Sequence, residues 1–132
     1  MFLFKPNFNI KINPFFGFLA SFYGGVNEEV ISRLFLTSFI GFLFNKILKN
    51  NSLSMYFAIL INSILFGILH LTTTSILTTL TFNIVLRAIF LNGIISIILG
   101  WLYWKKSFEI AVLTHFFIDI CTHVFLPLIK YL

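Results

Sequence analysis

"LSMYFAILINSILFGILHL", residues 53–71, contains no acid or base until His70. At 1.5 Å per residue a helix of this length covers about 28 Å, close to the thickness of a bilayer's hydrocarbon core. Three further runs approach the same length and greasiness: roughly 29–48, 84–104 and 109–130. The chain therefore reads as all-α, a polytopic transmembrane bundle of about four spanning helices.

Composition agrees. The 132 residues suffice for a single transmembrane domain, 1–132, and 59% of them are hydrophobic against 10% charged. Mean hydropathy is +1.02. A soluble domain carries about a quarter of its residues charged, so lipid must be the solvent for most of this surface. The net charge of +5 would suggest nucleic acid in a soluble protein. Here the lysines collect at helix ends, where they anchor to headgroups, and no basic stripe or stacking platform accompanies them. Nucleic acid is not an expected partner; membrane lipid is. The lone Cys121 has no internal disulfide partner and reads as a small apolar filler.

The start, "MFLFKPNFNIKINPFF", is broken by Pro6 and Pro14 and lacks a basic end followed by an apolar core. It is not the pattern of a cleaved signal peptide. It reads as a short interfacial or re-entrant segment with Lys5 and Lys11 at the headgroups. The links "KNNS" and "KKS" are short, which makes consecutive helices antiparallel neighbours. The threonine-rich residues 72–83 suggest a short helix or re-entrant turn. Lys46, Lys49, Lys105 and Lys106 share one face, cytoplasmic by the positive-inside tendency, and Lys5, Lys11 and Lys130 fall opposite. An integral, multi-pass protein of the plasma membrane is expected. A transporter is disfavoured, because no internal repeat is present and the chain would need to oligomerise.

Apart from the anchors, the ionisable groups inside the spans are Glu28, Glu29, Arg33, His70, Arg87, His115, Asp119 and His123. A charged residue at mid-helix costs about 2.5–3.5 kcal/mol on insertion scales, so several unpaired groups facing lipid would cost on the order of 10 kcal/mol. They should converge on the interior and line a wet cavity. Glu29 and Arg33 are four apart with the acid first, the favourable order for a helical ion pair. Glu28 is turned about 100° away and stays available. His115 and Asp119 also share a face, and Phe66 precedes His70 by one turn. Arg87 snorkels to the headgroups in this reading, and His123 sits near the far interface. The plain alternative is interhelical glue: an ion pair and imidazoles that only pack helices. Three helices contributing acid–base groups together favour a site.

These residues resemble a known family. "EEVISR" (Glu28, Glu29, Arg33) looks like the EExxxR motif of the CAAX-protease and bacteriocin-processing (CPBP or Abi) intramembrane proteases. "FGILH" (Phe66 to His70) resembles the second motif, FxxxH, and "HFFID" (His115 to Asp119) the third, HxxxN or HxxxD. "GWLYWKKSFEIAVLTH" is similar to the family's helix, short turn and histidine-bearing helix. The resemblance covers about residues 20–125.

The resemblance implies a metal-independent glutamic endopeptidase with no cofactor, acting on a membrane-associated peptide or protein. Glu28 would be the base that activates water, assisted by His70. His115 and Asp119 would stabilise the oxyanion, and Glu29 with Arg33 would form the supporting ion pair. Three features depart from the pattern. Asp119 stands where asparagine is common, so it must be protonated to donate, or else orient a histidine. "SRL" replaces a bulky residue, arginine and glycine. The chain is shorter than typical members and keeps only the four-helix core, so flanking helices that shape the substrate groove are either missing or supplied by a second subunit of a homo-oligomer. For Glu28 to meet His115 and Asp119 at mid-depth, the first span should begin near Phe15, with a kink near Gly24–Gly25. Two other readings remain open: a metal held by Glu28, His70, His115 and Asp119, although no HExxH is present, and a non-catalytic immunity or partner-binding protein of the same family.

Overall fold

The computed structural model describes residues 14–125, with Leu77 by its backbone alone. The N-terminal segment with Lys5 and Lys11, the end of the fourth run and Lys130 lie outside the described residues. Among the described residues four helices are long and apolar enough to cross a membrane, the first being Pro14–Leu48. The chain is an integral, multi-pass membrane protein.

The first helix opens on Pro14, where a missing N–H costs nothing. It therefore starts close to Phe15, well before residue 29. Its winding is α over Pro14–Tyr23, π over Gly24–Glu28 and Val30–Thr37, and α again over Ser38–Leu48. At Gly24–Gly25, where the sequence suggests a kink, the winding changes. Two side chains follow the wider turn: Thr37 Oγ1 donates to Ser32 O at 2.8 Å and Ser38 Oγ to Arg33 O at 3.2 Å, each five residues back. The helix closes on Lys49, which is left-handed at φ 52°. Asn50 then caps the second helix, Asn51–Leu77, by accepting from Leu53 N at 3.1 Å.

The second helix passes straight through residues 72–77, correcting the expectation of a separate short helix or re-entrant turn. The reason is local: Thr74 Oγ1 donates to His70 O at 2.8 Å and Ser75 Oγ to Thr72 O at 2.7 Å. Hydroxyls bonded back to the helix lose little of its continuity and hide their polarity from lipid. The connection to the third helix, Phe82–Lys105, is correspondingly short. The fourth helix is α over Phe108–Ile120 and π over Cys121–Phe125, with Ser107 accepting from Ile110 N at 3.3 Å.

The distribution of side chains is that of a protein in lipid. Phe15, Phe22, Ile47, Ile76, Phe82 and Phe90 are among many large apolar residues on the outside. Ser21, Glu29, Ser32, Arg33, Thr37, Asn62, Ser96 and His115 are buried. Water would punish the first set, and hydrocarbon would punish the second. The bundle holds together by close backbone approach and interior hydrogen bonds. A Cβ on Gly67 would lie 2.8 Å from Ile89 O, so the second and third helices touch through their main chains there.

The first helix packs its C-terminal half on the second helix and its N-terminal half on the fourth. It thus passes from one neighbour to the other in the middle of its length. Glu28 and Glu29 sit at that crossing.

Candidate active site

At the crossing, imidazoles from the second and fourth helices face one carboxylate oxygen of the first. Glu28 Oε2 is 3.5 Å from His70 Nε2 and 3.8 Å from His115 Nε2. That oxygen is buried and has no hydrogen-bond partner among the described residues. The Glu28 side chain as a whole is nevertheless 38% exposed, so the site can be approached from one side.

Each imidazole is held from behind. His70 Nδ1 is 2.9 Å from Phe66 O, the carbonyl one turn earlier. His115 Nδ1 is 3.0 Å from Glu29 Oε1. A carbonyl and a carboxylate only accept, so both Nδ1 atoms carry the proton. Both Nε2 atoms are thereby turned toward Glu28. Phe66 closes one wall, with its ring centroid 4.4 Å from that of His70 and 6.0 Å from that of His115.

Glu29 is the other half of the arrangement. Its second oxygen accepts from Arg33 Nε at 2.9 Å, and both side chains are completely buried. Arg33 Nη1 donates to Ser96 Oγ at 3.1 Å, which ties the pair to the third helix. The guanidinium also lies 5.5 Å from the Phe66 ring centroid. Two adjacent glutamates therefore have distinct environments: Glu29 is tied to Arg33 and His115, and Glu28 is presented to the pocket.

Asp119 stands one turn from two histidines. Its Oδ2 is 3.7 Å from His115 Nε2 and its Oδ1 is 3.8 Å from His123 Nε2. The approach depends on Gly24, because a Cβ there would lie 2.8 Å from Asp119 Oδ2. Of the eight interior groups named from the sequence, all but Arg87 have a place in this cluster. Among the described residues no three His, Cys, Asp or Glu side chains are grouped so as to hold a metal ion.

Leu34, where the resembled motif has glycine, carries no packing cost, since it is 47% exposed. The small Ser32 before it is buried, and its carbonyl accepts from Asn62 Nδ2 at 3.1 Å. Asn62 Nδ2 also donates to Thr37 Oγ1 at 3.0 Å. Sequence reasoning passed over Asn62 and Ser96. The available signal was a lone polar residue inside an otherwise apolar span, which must find a partner or face lipid.

With this geometry in place, similarity to known proteins is informative. A family model described as type II CAAX prenyl endopeptidase Rce1-like matches residues 11–121. The chain belongs to this family. The Rce1-like match takes in the three motif-bearing helices and the third helix that supplies Ser96. Comparison with the curated proteins and with the solved structures gave no match. The Rce1-like family is one of CAAX-type intramembrane proteases, whose substrates are in general peptides or proteins at the membrane.

Proposed function

We propose that the chain is an intramembrane glutamic endopeptidase that uses no metal, with Glu28 as its base. One observation supports this above others: among the described residues Glu28 Oε2 has no hydrogen-bond partner, and it is faced by two Nε2 atoms whose rings are fixed through Nδ1. A water held there donates one proton toward Glu28 and the other toward the lone pair of His70 Nε2. Its oxygen is then aimed at a peptide carbonyl entering from the exposed side.

Attack forms the C–O bond, and the water's proton passes to Glu28. The tetrahedral oxyanion is met by His115 Nε2–H, in the doubly protonated ring, and by Asp119 in its protonated form. Collapse breaks the C–N bond, and Glu28 returns the proton to the departing amine. Glu29 and Arg33 position His115 and touch no reacting atom. The substrate is a membrane-associated peptide or protein, met in the plasma membrane.

The test is cleavage of a prenylated CAAX peptide and of a membrane-protein panel by the purified chain in proteoliposomes. Glu28→Gln should abolish turnover while leaving the fold intact, and chelators should leave the parent's turnover unchanged. Turnover by the Glu28→Gln variant, or its loss on chelation, overturns the mechanism. Should cells remain protected from a bacteriocin by the Glu28→Gln form, the immunity reading would take its place.

A further inference from the structure

The two lysine-bearing turns are not level. Tyr56, the sixth residue of the second helix, meets Trp104 edge-on with ring centroids 5.1 Å apart. Ser38 Oγ is 2.7 Å from Tyr103 Oη. The third helix ends at Lys105, two residues beyond the one that meets Ser38, whereas the first helix runs ten residues beyond Ser38. The hairpin between the first and second helices therefore projects past it by about 6–12 Å at 1.5 Å per residue.

This step leaves a cleft of about 470 Å³, lined among others by Ser38, Asn45, Asn51 and Tyr103, with Phe42 and Trp104 as aromatic walls. Among the described residues no carboxylate lines it. Two ammonium groups stand over its walls: Lys46 Nζ lies 4.5 Å from the Phe42 ring centroid and Lys105 Nζ 3.4 Å from that of Trp104. Ring contact of this kind restrains a flexible lysine and keeps its charge at one place. The size is that of a small-molecule site. Its location is the polar end of the spanning helices, where phospholipid headgroups lie.

We propose that this cleft binds the phosphate headgroup of an anionic phospholipid. Lys46 and Lys105 supply the charge, the Asn45 and Asn51 amides supply donors, and Phe42 and Trp104 face the glycerol region. The site is separate from Glu28 and does not depend on the proposed peptidase activity. Free phosphate shares the chemistry, so the experiment must tell the two apart.

Native mass spectrometry of the full chain in detergent, titrated with phosphatidylglycerol or phosphatidylcholine, provides the test. Phosphatidylglycerol should bind at least about tenfold more tightly, given roughly 1 kcal/mol per lysine near an anionic lipid. Lys46→Gln with Lys105→Gln should remove most of that preference. Lys49→Gln with Lys106→Gln, an equal loss of charge from the same two turns, should keep it. Asn45→Asp, which leaves both lysines in place, should weaken phosphatidylglycerol and spare phosphatidylcholine. Equal loss in the two lysine pairs, no preference in the parent chain, or displacement of the lipid by millimolar inorganic phosphate each overturns the proposal.

Discussion

His115 Nδ1 lies 3.0 Å from Glu29 Oε1, so a carboxylate of the first helix orients the imidazole of the fourth. The same carboxylate accepts from Arg33 at 2.9 Å, and neither Glu29 nor Arg33 is exposed. In the peptidase reading Glu29 sets the tautomer and direction of a catalytic ring without meeting substrate. This division explains how a sparsely charged chain can place half of its acids side by side. In that reading Glu29 is structural, and Glu28 beside it is left to react.

Glu29→Gln should therefore destabilise the bundle by about 3–5 kcal/mol, because it strands the buried guanidinium of Arg33. Glu29→Gln combined with Arg33→Met should recover much of that loss, since no uncompensated charge remains. Reversible unfolding in mixed micelles gives both numbers. A single variant as stable as the parent would show that the pair contributes nothing to the fold.

His70 belongs to a different class. Its side chain is 21% exposed, and its Nδ1 engages only the backbone of its own helix. His70→Ala should leave the melting temperature within a few degrees of the parent. Turnover should fall by about 10²–10⁴-fold, the usual contribution of a proton-transferring side chain. Unchanged turnover in a folded His70→Ala protein would remove the histidine from the water-activating group.

Much of this arrangement is legible in the sequence, for identifiable reasons. Long apolar runs give the four spans because lipid leaves few alternatives. Spacing gives Glu29–Arg33 and His115–Asp119 because both pairs lie within single helices. The early start of the first helix is harder to read, since Gly24, Gly25, Asn27, Glu28 and Glu29 interrupt its apolar count. Gly24, Gly25 and Glu29 are buried and Glu28 is half-buried, so of these only Asn27 is carried on the outside of the helix. The continuation through Thr72–Thr74 is masked in the same way by hydroxyls that bond to their own helix. What the sequence does not show is registry between helices. The offset fixed by Tyr56–Trp104 and Ser38–Tyr103 brings His70 and His115 to one depth, although each lies at a different distance from its nearer lysine turn.

Asp119 separates two accounts of oxyanion stabilisation. If it donates in its protonated form, Asp119→Asn keeps a donor and should retain turnover within about tenfold. Asp119→Ala removes the donor and should lose about 10²–10³-fold. If the carboxylate instead only orients His115 or His123, both variants should fall together. Initial rates in the same lipid distinguish the outcomes, and parallel losses would reject the donor role.

The contact between the first and fourth helices is set by small residues, and it determines where His115 and Asp119 stand. A Cβ on Gly17 would lie 2.7 Å from His123 O, and one on Gly25 would lie 3.1 Å from Phe116 Cβ and 3.2 Å from its main chain. Between them Ser21 folds its hydroxyl back onto Gly17 O at 2.8 Å. A backbone carbonyl has no rotamer with which to move aside, so Gly17→Val must push the helices apart. The expected cost is about 1–3 kcal/mol, as for other overpacked interfaces. Because the displaced helix carries His115 and Asp119, turnover should fall even in the fraction that stays folded. Gly93→Ala is the matched control: its added Cβ would meet only Ser63 O at 3.6 Å, an ordinary contact. Melting temperatures and rates in one detergent should show a loss for Gly17→Val and little change for Gly93→Ala. Equal behaviour of the two would mean that close approach of the first and fourth helices does not position the site.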